Sequence, residues 1–351
     1  MDYIEIKGYK SIKEAKVELK PINILIGANG SGKSNFISFF DFLNRVSNQT
    51  LREYVGTNGG AEKFLYRGSK ITPQIKTHIS FDKHVNAYSF TTRNDNDEFV
   101  FTKEDLWYYS NSWDFTTFKP EAAVKTASGF RAKYIREHLN GFKKYHFHDT
   151  GKNSPFTQTS NIINDAYLLY EKGNNLAAFL YHIQQTNQVV YNRIIKTIQG
   201  IAPYFSDFYL KPNNEHFIRL QWQDKYGTAI YGASDLSDGT IRFIALTTLF
   251  MQPTLPKSII IDEPELGLHP FAITKLAGMI KSAAAKGVQV IVATQSSDLV
   301  NHFEAEDIIT VDQVNGQSEF KRLQKVELSV WLEDYSIGDL WQRNILEGGQ
   351  P

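Results

Sequence analysis

Apolar residues are spaced in two ways along the chain, and the change from one spacing to the other outlines the fold. Tyr3, Ile4 and Ile6, then Ala15, Val17 and Leu19, alternate with charged neighbours as half-buried strands do. Ile22-Asn-Ile-Leu-Ile26 is a nearly continuous apolar run, the pattern of a strand buried on both faces. A glycine-rich turn follows, then Asn35 to Val46, where Phe36, Ile37, Phe39, Phe40 and Leu43 recur at helical spacing. Residues 50–70, punctuated by Gly56, Gly59, Gly60 and Gly68, read as irregular. Alternation returns over 71–103, broken by the polar turn Asn94-Asp-Asn-Asp97, and predicts a strand meander. A helix is expected near 129–141, a strand near Tyr145–His148, two helical pieces within 161–200 divided at Gly173-Asn-Asn175, and strands over 205–231.

From 232 the pattern tightens into alternating helix and strand. Helices are expected at 239–251, 270–285 and 297–303, and strands at 258–261, 288–293, 307–312 and, as an edge, 317–323. Such alternation predicts a mostly parallel sheet with helices on both faces, and Ile22–Ile26 is its companion strand from the start of the chain. No heptad pattern is sustained, which excludes a coiled-coil arm.

At 351 residues and roughly 100–200 residues per domain, the length suggests two or three folding units. Absence of Cys removes disulfide scaffolds, thiolate metal sites and Cys nucleophiles. Lys+Arg and Asp+Glu both number 38, so bulk charge does not coat nucleic acid or an anionic membrane. No apolar window reaches the ~18 residues a membrane helix needs, and the alternating N-terminus lacks a signal-peptide core. A cytoplasmic location without membrane contact is the expectation.

Five motifs carry the chemistry. Gly27-Ala-Asn-Gly-Ser-Gly-Lys-Ser34 is a complete G-x-x-x-x-G-K-S between a buried strand and a helix. Its backbone N–H groups and the helix N-terminus suit phosphates, Lys33 the β/γ-phosphates, and the Ser34 hydroxyl Mg²⁺. Asn29, Gly30, Ser31, Gly32 and Asn35 complete the candidate nucleotide loop. Ile259-Ile-Ile-Asp-Glu263 ends an apolar strand in two carboxylates, which suits Asp262 to the Mg²⁺ shell and Glu263 to polarising an attacking water. Leu236-Ser-Asp-Gly-Thr240 opens a helix, and on its own Ser237 is a plain N-cap. Pro264-Glu-Leu-Gly-Leu-His-Pro270 follows the acids, and its single His269 lacks metal-ligand spacing. Val290-Ile-Val-Ala-Thr-Gln-Ser296 is a buried strand ending in polar residues.

Together these motifs resemble ABC-type ATPases of the RecF/SMC-like branch, including stand-alone bacterial ATPases related to OLD-type enzymes. The resemblance implies an α/β P-loop NTPase fold: an ABC-type head with a mixed sheet, N-terminal antiparallel strands and an inserted helical/β lobe. It divides the chain into an ATPase core of 1–50 and 201–326, an inserted lobe of 51–200 and a C-terminal tail of 327–351 packing on the core. In the family, the loop matched by Ser237 and Gly239 reaches in trans to the ATP of a second subunit, so a head-to-head homodimer around two ATP·Mg²⁺ is implied. The loop usually reads Leu-Ser-Gly-Gly-Gln, and here Asp238 and Thr240 depart from it. The residues around His269 correspond to the D-loop. Gln295 stands where the switch loop usually has His; Gln can hydrogen-bond but carries no proton charge near neutral pH, which implies slow turnover. Gln158 is a candidate for the Q-loop glutamine.

The implied activity is ATP hydrolysis, with Glu263, Lys33 and Gln295 catalytic, coupled to DNA transactions such as repair or to control of a phage-defence effector. The alternative is an ATP-gated regulatory module with little turnover that holds a toxin, nuclease or other partner. A transporter ATPase fits poorly with the roughly 200-residue span from Lys33 to Ser237, and a P-loop kinase leaves Ser237 and Glu263 without a role. Only about 50 residues follow the switch loop, too few for the Toprim nuclease of OLD-type relatives, so nuclease activity is expected to reside in a partner.

Charge is uneven beneath the neutral total. Residues 119–152 hold about 8 Lys/Arg against 3 acids, and 301–351 about 4 against 10. Phe130, Tyr134, Phe142 and Tyr145 interleave with the basic residues, which suits DNA or RNA contact as well as packing. His138, His146, His148 and Asp149 read as packing and hydrogen bonding, with a metal site as the other option.

Overall fold

The computed structural model of the chain describes residues 1–346. Its first part runs β1 (Tyr3–Tyr9), β2 (Ile12–Glu18), β3 (Ile22–Ile26), α1 (Lys33–Asn48), α2 (Leu51–Thr57), β4 (Gln74–Phe81), β5 (Asn86–Asp95), β6 (Glu98–Tyr108) and β7 (Asn111–Asp114). There follow α3 (Phe130–Leu139), β8 (Phe142–Tyr145), β9 (Ser160–Asn161), α4 (Leu176–Thr186), α5 (Gln188–Gln199), β10 (Phe205–Phe208), β11 (Phe217–Ile218), β12 (Gln221–Asp224) and β13 (Ile230–Gly232). The last part is α6 (Asp238–Met251), β14 (Ser258–Asp262), α7 (Pro270–Ala285), β15 (Gln289–Ala293), α8 (Ser297–Val300), β16 (Ile308–Val314), β17 (Gln317–Arg322), α9 (Lys325–Leu328) and α10 (Ile337–Gln342).

Two compact units are formed: Met1–Lys144 with Lys257–Ile260 and the described residues from Gln289 on, and Tyr145–Pro256 with Ile261–Val288. These units group residues by packing, whereas the division read from the sequence follows motifs.

The chain forms two six-stranded sheets, which lie in the first unit apart from Tyr145 of β8 and Ile261 and Asp262 of β14. One is antiparallel in the order β2-β1-β4-β5-β6-β7. The other has the order β17-β16-β3-β15-β14-β8, with β3 parallel to β15 and β16, and β17 antiparallel to β16. The mixed sheet and the N-terminal antiparallel strands are those expected. Helix α1 joins both sheets through its aromatic face: the Phe42 ring lies 6.4 Å from Phe90 and 6.0 Å from Phe99, and the Phe36 ring 5.2 Å from Phe320. Phe36, Phe39, Phe40 and Phe42 are fully buried, each worth about 1.5–3 kcal/mol relative to exposure. This packing fixes the helix whose first turn follows the glycine loop.

The second unit has the antiparallel sheet β10-β12-β13, with helix α6 packed against α5 and α7. Every residue of α6 from Thr240 to Phe250 is buried. Trp222 stacks on Tyr231 at 4.9 Å and on Phe205 at 6.0 Å.

Three local expectations differ from the structure. Residues 51–57 are helical, because the Glu121 carboxylate accepts from Leu51 N at 3.2 Å and Arg52 N at 2.9 Å. That cap lies 70 residues away, outside any local pattern. In the 161–200 stretch only α4 and α5 are helical, and they divide at Asn187 rather than at Gly173. The preceding loop is held by the buried Asn175, whose Nδ2 donates to the Asp165 and Leu168 carbonyls at 2.6 Å each and whose Oδ1 accepts from Tyr170 N at 2.8 Å. A side chain that satisfies backbone groups in this way competes with the helix. The strand expected at 145–148 lies instead at Phe142–Tyr145.

In the C-terminal region, α10 packs on α8, and Gly338 N donates to Asn301 Oδ1 at 2.7 Å; the 347–351 part of the expected tail lies outside the described residues. No helix among the described residues is long and apolar enough to cross a membrane.

Candidate functional site

The loop between β3 and α1 has its shape set by close approaches. A Cβ on Gly27 would lie 2.2 Å from the Val311 carbonyl oxygen of β16, and one on Gly32 would lie 1.9 Å from Ser318 Oγ of β17. Gly30 and Gly32 also have φ of 80° and 113°, values that side-chain-bearing residues adopt only under strain. Ser318 Oγ donates to the Ser31 carbonyl at 2.6 Å and lies 2.7 Å from Ser11 Oγ, which accepts from Asn35 Nδ2 at 2.8 Å. Thus β17 and the β1–β2 turn clamp the loop from outside. Ser318 carries no sequence signal, since it is known only by what it touches.

Lys33 is 5% exposed, and its Nζ donates to the Gly27 carbonyl at 2.6 Å and the Ala28 carbonyl at 2.9 Å. Asn29, Gly30 and Ser34 are exposed and Asn35 is half-buried. Two features fit a phosphate. The Ser31 hydroxyl is buried and has no hydrogen-bond partner among the described residues. The N-cap of α1 is Gly32, which offers no side-chain acceptor, so the first-turn amides are available to an anion. With Ser318→Ala, ATP affinity is expected to fall about fivefold, the value of one hydrogen bond; an unchanged titration with a fluorescent ATP analogue would remove Ser318 from the site.

Gln295 lies in the same unit, just after β15, and is exposed. Its neighbours are anchored: Thr294 N donates to the Leu25 carbonyl at 3.0 Å, Ser296 N donates to Thr294 Oγ1 at 2.9 Å, and Ser296 caps α8. Ala293 pairs with Leu25 in parallel register, so Gln295 and the glycine loop both follow the C-terminal ends of neighbouring inner strands.

The other candidates belong to the second unit. Asp262 ends β14, and Glu263 follows with φ 43°. For a non-glycine residue this is a costly conformation that surrounding contacts must maintain. Both side chains are half-buried. Ser237 is the N-cap of α6: its Oγ accepts from Thr240 N at 3.2 Å and lies 2.8 Å from Thr240 Oγ1. Ser237 and Asp238 are nonetheless exposed, so the helix start faces solvent. A Cβ on Gly239 would lie 2.3 Å from the Gly267 carbonyl oxygen, which explains the glycine by contact with the turn after Glu263. The departures from the usual loop also find partners. Thr240 pairs with Ser237, while the Asp238 carboxylate interacts electrostatically with Arg242 one turn on.

His269 caps α7, its Nδ1 accepting from Phe271 N at 3.2 Å ahead of Pro270. Gln158 is exposed and follows a short 3₁₀ turn. His138 Nδ1 lies 2.9 Å from the Tyr134 carbonyl oxygen, and His148 Nε2 donates to the Asp262 carbonyl at 2.7 Å. Among the described residues no group of three or more His, Asp or Glu could hold a metal ion. Asp262 and Ser34 offer oxygen donors, the kind that Mg²⁺ takes.

Much of the basic stretch is internally engaged. Lys144 pairs with Asp41 at 3.0 Å, Arg136 donates to the Val124 and Ala127 carbonyls, and Lys125 donates to the Asn48 carbonyl. Phe142 and Tyr145 are buried and the Tyr134 hydroxyl donates to Asp82, whereas Phe130 is 82% exposed. Phe130 is therefore the interleaved aromatic that is open for stacking.

Comparison with known proteins agrees with this fold. The chain resembles a crystal structure of an SmcHead bound to the C-winged helix domain of ScpA, with TM-score 0.63 and 16% identity over 94% of this chain and 99% of that one. It also resembles an Smc head domain with an extended coiled coil bound to the C-terminal domain of ScpA derived from Pyrococcus furiosus, with TM-score 0.57 and 16% identity over 95% and 98%. No curated protein sequence matches the chain. A family model described as "AAA domain, putative AbiEii toxin, Type IV TA system" matches residues 22–301, from β3 to the end of α8. The chain belongs to that AAA family and has the P-loop fold of RecF/SMC-like ABC-type ATPases.

Proposed function

We propose that the protein binds and slowly hydrolyses ATP, with two copies closing head to head around two ATP·Mg²⁺. The observation that carries this reading is the Gly27–Ser34 loop, with its buried lysine, orphaned Ser31 hydroxyl and uncapped helix start. In the proposed site, loop amides and Lys33 hold the phosphates, while Ser34 and Asp262 hold Mg²⁺. Bound Mg²⁺ supplies charge neutralisation on the phosphate oxygens. Glu263 accepts a proton from the attacking water, and Gln295 orients that water by hydrogen bonding. The exposed start of α6, with Ser237 and Gly239, caps the γ-phosphate held by the second copy.

The output of this cycle is a DNA transaction or control of a defence effector, carried by a separate protein or by nucleic acid at the basic stretch. A second reading, an ATP-gated module with almost no turnover, is favoured by Gln295, which cannot hold the proton charge of a histidine. Phosphate release and light scattering, measured with ATP alone and then with DNA, with RNA and with any co-encoded protein, separate the two. Turnover with ATP-dependent dimerisation supports the ATPase; a dimer without phosphate release supports the gated module, and neither response refutes both.

A further inference from the structure

Buried in α6, five residues after Ser237, Arg242 is 4% exposed. Its Nε donates to the Phe147 carbonyl at 3.0 Å and its Nη2 to the His148 carbonyl at 3.1 Å. Its Nη1 lies against the turn after Glu263: a Cβ on Gly267 would be 3.1 Å away. Burial lowers the guanidinium pKa, and the Asp238 and Glu265 carboxylates offset part of that effect. A guanidinium is placed in such surroundings only where several directed bonds compensate its desolvation. His148, whose carbonyl Arg242 engages, donates from its own ring Nε2 to the Asp262 carbonyl at 2.7 Å. One continuous path therefore runs from α6 through the 147–148 backbone to the end of β14.

The carbonyl at its end has a particular mechanical place. It belongs to the peptide plane joining Asp262 to Glu263, and the strained φ of 43° at Glu263 is the rotation about the N–Cα bond at the end of that plane. A hydrogen bond that holds the plane therefore holds the axis of that rotation, and leaves the Glu263 side chain only the turn about its own N–Cα bond. At the other end, Gly239 meets the Gly267 carbonyl with no space for a Cβ, so α6 cannot shift without moving the turn.

We propose that Arg242 and His148 are positioning residues that lock the Ser237–Gly239 helix start and the strained Glu263 into one rigid piece within each subunit. The inference rests on the roles proposed above for Glu263 and Ser237. Neither residue needs to touch nucleotide for this role: Arg242 acts through the 147–148 backbone, and His148 through one peptide plane.

The test uses the full chain with His148→Ala, His148→Gln and Arg242→Lys, read by hydrogen–deuterium exchange over 262–268, phosphate release, ATP affinity and thermal unfolding. Exchange reports the lock without turnover. His148→Ala is expected to speed exchange there about tenfold and to lower kcat about 10–100-fold, the scale of a small misplacement of a reacting group, at unchanged ATP affinity. His148→Gln restores both, because its amide N–H reaches the same carbonyl. Arg242→Lys loses the two-carbonyl fork and behaves like the alanine variant; should it fail to fold, the His148 pair still decides. Wild-type exchange in His148→Ala overturns the proposal, as does accelerated exchange with unchanged kcat, or a glutamine variant no better than alanine. If the wild-type protein releases no phosphate while exchange responds as expected, the lock stands and the hydrolysis reading fails.

Discussion

Replacing Glu263 by Gln is expected to slow ATP hydrolysis by about 10²–10⁴-fold, the contribution of a positioned general base, while ATP still binds. The amide is nearly isosteric with the carboxylate, so the backbone at φ 43° and the 264–268 turn have no reason to change. What is lost is the capacity to take a proton from water. Because hydrolysis opens the proposed dimer, the variant should accumulate as an ATP-dependent dimer in size-exclusion chromatography with light scattering. Wild-type phosphate release in this variant would exclude Glu263 as the base, and a monomer at saturating ATP·Mg²⁺ would exclude the sandwich. If the dimer forms without a change in turnover because wild type is itself almost inactive, the gated-module reading gains.

Lys33→Ala is expected to weaken ATP binding about 100-fold, because two charge-assisted hydrogen bonds to phosphate are worth roughly 3 kcal/mol. A second effect comes from the folded loop. Lys33 Nζ is the donor to the Gly27 and Ala28 carbonyls, and removing it leaves carbonyls of a buried turn without that partner, at a cost of about 1–3 kcal/mol. Thermal unfolding without nucleotide should therefore shift downward as well. Lys33→Arg keeps the charge but cannot place a compact ammonium between two carbonyls, so affinity should not recover. Isothermal titration settles the matter: an unchanged affinity in the alanine variant would remove the loop as the nucleotide site.

The β3–loop–α1 unit could be read directly from the residues because strand burial, glycine positions and the helical repeat are all local. The same holds for the apolar strand before Asp262 and for α6, α7 and β15–β17, where one period extends over a whole element. Asn175 and Glu121 mark the limit. Each supplies hydrogen bonds that decide whether a neighbouring segment is helix or turn, and Glu121 does so from 70 residues away. His148 shows the same limit at the site. In sequence it belongs to a histidine-rich run that reads as packing and hydrogen bonding, but nothing local says that its partner is one carbonyl of a strand 114 residues on.

What the sequence determined by itself is the chemistry on offer and its local scaffold: a glycine loop between strand and helix, two acids at a strand end, a serine at a helix start and a glutamine just after a buried strand. Only the tertiary structure decided how those pieces are held. Ser318 meets Gly32 and Ser31 from the far end of the chain, and Arg242 ties α6 to backbone 94 residues earlier. The reason is physical: burial periodicity repeats within an element and is written in neighbouring residues, whereas a directed hydrogen bond between distant segments involves one pair of atoms and leaves no repeat to read.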